Sequence, residues 1–255
     1  MKRKTAVITG ASSGIGMEFA RIFAKMGYQL ILTARREERL KKLKGELKVP
    51  CRIIIADLSQ EYECYQLFEK IEKSRVDIFI NNAGFGTCGC FAETDLGKEI
   101  SMIQVNVCAM HILFKKMLCK MEKQGYGRIL NIASSAGLFP SGPYMAAYYA
   151  SKAYVVSLTK AVAEELRAKG SNIYLGALCP GPVDTEFNNR AGVVFALKGI
   201  TSKLCVKEAL LGMKKRKVII VPSAKMKLCI AGQKVMPENV LTRIVARQQR
   251  KKIEK

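Results

Sequence analysis

Thr5-Ala-Val-Ile-Thr9-Gly10-Ala-Ser12-Ser13-Gly14-Ile15-Gly16 opens with a short β-rich run and turns through a glycine-rich corner directly into a helical pattern. A strand without polar–apolar alternation is buried on both faces, the habit of parallel sheets covered by helices. Glycines at the corner permit a tight turn, close approach of main chain to a pyrophosphate, and close helix–strand packing; the helix N-terminus then offers amide donors to the anion. The spacing is Gly-x-x-x-Gly-x-Gly, not the commoner Gly-x-Gly-x-x-Gly. A glycine-rich corner alone can be only a turn. Between a first strand and a first helix it reads as a phosphate cradle built from Gly10, Ser12, Ser13, Gly14, Ile15 and Gly16.

The rest of the chain repeats the alternation. Runs at 5–9, 30–33, 52–55, 77–80, 128–132, 172–178 and 218–221 read as strands, and 15–26, 37–48, 99–123, 146–168, 198–213 and 225–235 as helices. Strands alternating with helices need crossovers, which are right-handed, so the fold class is α/β: a Rossmann-type doubly wound parallel sheet of about seven strands with helices on both faces. No linker, repeat or low-complexity tract divides residues 1–255, which are read as one domain. Within it, 186–213 is the pocket-building segment and 225–255 a basic C-terminal extension.

The second strand ends Thr33-Ala34-Arg35-Arg36. At this place an NAD site carries an acid for the ribose 2′-hydroxyl, whereas an arginine suits a 2′-phosphate. No carboxylate stands at the strand end, so NADP(H) is favoured over NAD(H), with Arg35 and Arg36 as anchors. The rival reading makes both arginines the start of a charged helix. Asp57, after the third strand, stands where a polar group can meet an adenine edge.

Residues 131–152 carry the chemistry. Tyr148 and Lys152 are four apart at the head of the Ala-rich segment 146–168, hence on one helix face. A tyrosine titrates near ~10, too high for acid–base work at neutral pH, and a neighbouring ammonium favours its phenolate. Ser135 precedes Tyr148 by 13 residues and follows the apolar run 129–132, so strand end and helix start can converge. Tyr149 has Ala153, not a lysine, four residues on.

Forty-three Lys and Arg against 21 Asp and Glu give a net charge of +22. Such an excess suggests an anionic partner, or simply a solvated cationic surface. Neither a helix-turn-helix nor an aromatic-basic RNA signature accompanies it, so no nucleic acid is expected. The cysteines number nine, an odd count without Cys-x-x-Cys spacing, and read as reduced apolar residues of a cytoplasmic protein with no metal site. His111, the one histidine, falls in the run 99–123 and reads as packing. No stretch is expected to match the ~18 apolar residues of a membrane span, and the basic start reads as no secretory leader.

Taken in order, Thr9-Gly10-x-x-x-Gly14-Ile15-Gly16, Asp57-Leu58, Asn81-Asn82-Ala83-Gly84, Asn106-Val107, Ser135, Tyr148-x-x-x-Lys152 and Pro180-Gly181-Pro182-Val183-Asp184-Thr185 resemble the short-chain dehydrogenases/reductases over residues 5–190. The resemblance implies that Tyr148 is the general acid in carbonyl reduction and the base in alcohol oxidation. It implies that Lys152 lowers the phenol's pKa and holds the nicotinamide ribose. Ser135, in preference to its neighbour Ser134, would hydrogen-bond the substrate oxygen, and Asn106 would hold a proton-relaying water. Asp57, Leu58, Asn82, Ala83 and Gly84 would meet the adenosine side, and Pro180, Gly181, Val183 and Thr185 the nicotinamide. A homodimer or homotetramer is implied, through the helices containing Asn106 and Lys152.

The pocket walls expected from 85–91, 136–144 and 186–199 include Phe85, Leu138, Tyr144 and Phe187. Such a lining suits a hydrophobic ketone or secondary alcohol of steroid, bile-acid-like or fatty type, and equally suits core or dimer packing. The tail 237–255 mixes Val240, Leu241, Ile244 and Val245 with five basic residues between Arg243 and Lys252; it can rest on a membrane surface or pack on its own domain. The expected function is NADP(H)-dependent interconversion of a hydrophobic ketone and its alcohol. The alternatives are a 3-oxoacyl-carrier-protein reductase, whose acidic carrier would match the charge, and a non-catalytic NADP(H)-binding regulator.

Overall fold

The computed structural model describes residues 3–186 and 199–250. Its strands are β1 (Thr5–Thr9), β2 (Gln29–Ala34), β3 (Cys51–Ile55), β4 (Ile78–Asn81), β5 (Arg128–Ile132), β6 (Tyr174–Leu178), β7 (Val183–Asp184), β8 (Ile200–Thr201) and β9 (Ile219–Ile220). The helices are α1 (Gly14–Lys25), α2 (Glu37–Glu46), α3 (Glu61–Glu72), α4 (Leu96–Ile103), α5 (Met110–Gln124), α6 (Ala146–Ala168), α7 (Ser202–Lys214), α8 (Ala224–Gly232) and α9 (Glu238–Arg250). Seven strands form one parallel sheet in the order β3-β2-β1-β4-β5-β6-β9, and β7 pairs with β8 in a separate two-residue ladder. The expected doubly wound α/β sheet is thus present.

Side-chain alternation explains the two helical layers. Val7, Ile31, Phe79, Ile129 and Leu175 point to one side, onto Leu67 of α3, Phe114 and Met117 of α5 and Val155 of α6. Ala6, Ile8, Leu30, Leu32, Ile80 and Leu130 point to the other, onto Phe19 and Phe23 of α1, Leu40 and Leu43 of α2 and Val206 of α7. The strands read as continuously apolar because each serves both cores. A polar seam crosses one core: Asn81 Nδ2 donates to the Met110 carbonyl at 2.9 Å and to Asn131 Oδ1 at 3.3 Å, and Asn131 Nδ2 donates to Thr159 Oγ1 at 3.0 Å. That seam locks β4 and β5 to the two helices that carry Asn106 and Lys152.

Three local features differ from the sequence expectation. Helix α3 is absent from the expected elements, because glutamates dilute its pattern; Cys64, Leu67, Phe68 and Ile71 nevertheless make an i, i+3, i+4, i+7 stripe onto the sheet. The stretch Leu96–Gln124 is helical throughout, with a π-helical segment, Gln104–Ala109, between α4 and α5. By length and composition it is apolar enough to cross a membrane, contrary to the expectation above, yet half of its most apolar window is buried, including Met102, Leu113 and Phe114. His111 is not core packing: it is exposed on this helix and its Nδ1 meets the Tyr154 hydroxyl at 2.7 Å.

Candidate active site

Chain order reverses between β1 and β4, and at such a switch point the carboxyl ends of the strands open a crevice. The glycine corner lies there. Gly10 and Gly14 have φ of +63° and +53°, the left-handed region that side chains disfavour. Asn82 Nδ2 donates to the carbonyls of Thr9 and Gly10 at 2.9 and 3.1 Å, while Thr9 Oγ1 accepts from the amides of Asn82 and Ala83 at 2.9 and 3.0 Å. The Asn82-Ala83-Gly84 turn is therefore stapled to the cradle. Gly16 differs from its expected role: it does not line the cleft, and a Cβ on it would stand 2.5 Å from both Gly10 O and Asn82 Nδ2. It permits packing behind the cradle instead of facing a phosphate.

The two arginines after β2 part company. Arg35 leans on Asp57, 3.7 Å from Oδ1, which also accepts from the amide and hydroxyl of Ser59. Arg36 reaches into the cradle, donating to Ser13 Oγ at 2.9 Å and Ser12 Oγ at 3.1 Å, and across the cleft to Glu186 at 3.0 Å. Arg36, more than Arg35, is the cation that converges with the phosphate-binding corner.

Tyr148 and Lys152 are buried at the inner end of the cleft. The serine beside them is Ser134. Its side chain is the one that acts on the Tyr148 phenol, lowering it against burial; the hydroxyl accepts from the Ala136 amide at 3.1 Å and donates to the Pro180 carbonyl at 3.5 Å. Counting 13 residues back from Tyr148 points to Ser135; both serines line the cleft, and it is Ser134 whose side chain acts on the phenol. Ser135 opens a short 3₁₀ turn, Ser135–Leu138, and its amide is tied to the Pro180 carbonyl at 2.7 Å; although it lines the cleft, no bond joins its side chain to Tyr148. Residue count cannot decide between adjacent serines when the intervening loop sets the register.

Lys152 Nζ donates to the Ile132 carbonyl at 3.1 Å and lies 5.8 Å from the centroid of the Tyr148 ring, within cation–π range. Burial dominates both titrations: it pushes the Tyr148 phenol up to about 12, against a smaller lowering by Ser134. It pushes the Lys152 amine down to about 8. The Lys152 ammonium passes over the ring face toward the Ile132 carbonyl of β5, and burial outweighs any lowering of the phenol. Asn106 lies in the π-helical segment, a frequent device at functional sites. Its amide is engaged by protein: Oδ1 accepts from the Phe85 amide at 3.1 Å, and Nδ2 donates to the Phe85 carbonyl at 2.8 Å and Ser151 Oγ at 3.1 Å. It clamps the Gly84-Phe85 turn above Lys152; a Cβ on Gly84 would meet Asn106 at 2.9 Å and Lys152 Nζ at 3.2 Å.

The cleft measures about 680 Å³. The expected Leu58, Ala83, Phe85, Pro180, Gly181, Val183 and Thr185 line it, but Leu138 and Tyr144 do not. Leu138 faces a shallow neighbouring depression, and Tyr144, with φ of +64°, spends its carbonyl on the Gly89 amide at 2.9 Å. Phe187 lies outside the described residues. The apolar end of the cleft is walled instead by Phe139, Met145, Met226, Met236, Leu241 and Val245, with Tyr149 and Gln249 as its polar pair. Helix α9 thus packs on its own domain, burying Leu241, Val245 and Gln249 against the cleft. Only the i, i+4 spacing of Leu241 and Val245 hinted at this.

The residues fit a nicotinamide dinucleotide: a glycine cradle that side chains would fill, a cation beside it, and an acid–base pair at the far end. Among the described residues no cluster of His, Cys, Asp and Glu suits a metal ion.

The family model described as short chain dehydrogenase matches residues 4–192. The 3-oxoacyl-(acyl-carrier-protein) reductase FabG of Rickettsia prowazekii (strain Madrid E) is 36% identical over 191 residues, 73% of this chain and 76% of that protein. A short-chain dehydrogenase from Sphingobium yanoikuyae solved in complex with NADPH is 31% identical with a TM-score of 0.80, covering 91% of this chain and 93% of its own. The bulky-bulky ketone specific alcohol dehydrogenase from Comamonas testosteroni is 29% identical with a TM-score of 0.76, covering 92% and 94%.

Proposed function

The chain belongs to the short-chain dehydrogenase family, an oxidoreductase acting on CH–OH groups with a nicotinamide cofactor, and from that premise we propose that it is NADP(H)-dependent and reduces a bulky hydrophobic ketone to its secondary alcohol. The observation that carries the reading is that Ser134, Tyr148 and buried Lys152 share one cleft with the glycine cradle, Ser134 acting on the Tyr148 phenol. The cofactor, when bound, supplies or accepts the hydride.

The remaining steps belong to the protein. Ser134 and Tyr148 receive the substrate oxygen between two hydroxyls, one stabilising developing negative charge and the other giving up a proton. A phenol held near 12 by burial carries its proton at neutral pH, the form that a general acid needs. Lys152, with its own amine lowered to about 8, lies within cation–π range of the Tyr148 ring and steadies its position. Asn106 keeps the turn above it in place. Met145, Met226, Met236, Leu241 and Val245 exclude water and accept a wide apolar body, methionines adapting to irregular shapes. The similarity to a bulky-ketone alcohol dehydrogenase and to a protein solved with NADPH supports the substrate and cofactor classes.

A second reading, a 3-oxoacyl-carrier-protein reductase, has its own support in the 36% identity to FabG and in the +22 charge, which suits an acidic carrier. Purified protein assayed for NADPH and NADH oxidation with ketosteroids, long-chain carbonyls and acetoacetyl thioesters separates the two. Turnover of bulky ketones with NADPH supports the first; turnover confined to the thioesters replaces it with the second. The partner that the surface suits is a second copy of the chain. Leu96, Ile100 and Ile103 of α4 and Tyr154 of α6 are exposed on the helices flanking the catalytic pair.

A further inference from the structure

Arg36 joins two lips of the cleft. On one lip its guanidinium meets Ser12 and Ser13 of the glycine corner; from the other it takes Glu186, the residue after Thr185. Arg39, one turn along α2, reaches the second oxygen of the same carboxylate. Glu186 therefore sits between two guanidinium groups, and it presents to them a negative charge and two acceptor oxygens. Those are the features by which arginines recognise a phosphate. Both arginines hold the Glu186 carboxyl below the usual carboxylate range, with Arg39 the stronger, so it is charged wherever the protein works. In a chain with 43 basic and 21 acidic residues, an acid faces the arginine that converges with the expected phosphate site.

We propose that Glu186 is a built-in competitor for the 2′-phosphate of NADP(H): its carboxylate engages Arg36 and Arg39, and the phosphate must displace it to bind. The inference rests on the NADP(H) reading above. It makes Glu186 a specificity-determining residue, because a ribose 2′-hydroxyl carries no charge with which to contest the arginines. Glu186 then moderates the advantage of NADP(H) over NAD(H) without touching the reacting atoms. The pair is partly exposed, with Glu186 at 43% and Arg36 at 31% side-chain exposure, so the competition is modest and weakened by salt.

Calorimetric titration with 2′,5′-ADP and with 5′-AMP, free of any hydride chemistry, tests it on wild type and Glu186→Gln. The expected result is 2′,5′-ADP binding tighter by about 2- to 5-fold in the variant, the range of an exposed ion pair, with the gain shrinking at high salt. Binding of 5′-AMP should be unchanged, which also shows that the cradle is intact. Unchanged or weaker 2′,5′-ADP binding in Glu186→Gln would overturn the inference and make Glu186 a brace that orients Arg36. Equal tightening of both nucleotides would overturn it as well. If neither protein binds 2′,5′-ADP while both bind 5′-AMP, the NADP(H) reading falls together with it.

Discussion

Gln249 in the last helix donates to the Tyr149 hydroxyl at 2.6 Å, joining residues 100 positions apart across the mouth of the cleft. Two further ties run the same way: Gln233 Nε2 donates to the Leu138 carbonyl at 2.7 Å, and Ser141 and Thr242 share a hydrogen bond of 2.7 Å. Together they dock the C-terminal region on the loop between β5 and α6, so that α9 becomes a wall of the pocket. Tyr149 has no catalytic partner lysine, but it fixes the wall that its neighbour Tyr148 faces.

Tyr149→Phe should therefore act on substrate binding, not on proton transfer. Taking one partner from a buried amide costs about 1–3 kcal/mol. Faster amide hydrogen exchange across 238–250 and a raised KM for a bulky ketone, with kcat changed less than KM, are the expected readings. Unchanged exchange in α9 would show that the apolar contacts of Leu241 and Val245 suffice.

The two serines should separate cleanly. Ser134→Ala should lower kcat by about 10²-fold or more, the usual effect of deleting one donor to a developing oxyanion. Ser135→Ala should stay within a few-fold of wild type, since its bond to Pro180 is made by main chain. Steady-state kinetics on both variants with one ketone decides the assignment, and the reverse ranking would restore Ser135.

Lys152 carries a pH signature. Its amine titrates at about 8 in the folded protein against 10.5 unfolded, so between these values the unfolded chain binds the extra proton. The Lys152 contribution to stability should then rise with pH through this window, as the cost of burying the charge disappears. From pH 7.5 to 9.5 the gain is about 2 kcal/mol. Urea unfolding across that range should show wild type gaining this much relative to Lys152→Met, because the buried thiols of Cys64, Cys179 and Cys205, raised by burial, destabilise both proteins alike as pH rises. Above about pH 10 Tyr148, raised to about 12, adds a contribution of opposite sign, because it keeps a proton that the unfolded tyrosine has lost.

Gly16→Ala tests the packing behind the cradle. A Cβ 2.5 Å from Gly10 O and Asn82 Nδ2 cannot be relieved by a flexible side chain alone, because one neighbour is main chain. A destabilisation of about 1–3 kcal/mol is expected from overpacking. The cofactor Kd should rise about tenfold for each 1.4 kcal/mol of distortion passed to the cradle. A lowered melting temperature with unchanged cofactor affinity would confine Gly16 to a purely structural role.

Residue pattern alone determined the α/β class, the parallel sheet, the glycine cradle and the Tyr148–Lys152 pair. These are periodic or short-range features: strands serving two cores read as unbroken apolar runs, and a four-residue spacing on a helix fixes a shared face whatever surrounds it. Helix α3 was equally legible through Cys64, Leu67, Phe68 and Ile71, had its glutamates not masked the stripe. Only the tertiary structure decided the rest. Whether Ser134 or Ser135 meets Tyr148 depends on how the 3₁₀ turn leaves β5. Whether Arg35 or Arg36 enters the cradle depends on how far α2 has turned, and the partner of Arg36, Glu186, is 150 residues away. The pocket wall of Met226, Met236, Leu241 and Val245 comes from the chain's last helices, folded back over its middle. Contacts of that range arise from the packing of whole layers, which leaves no periodic trace in the local sequence.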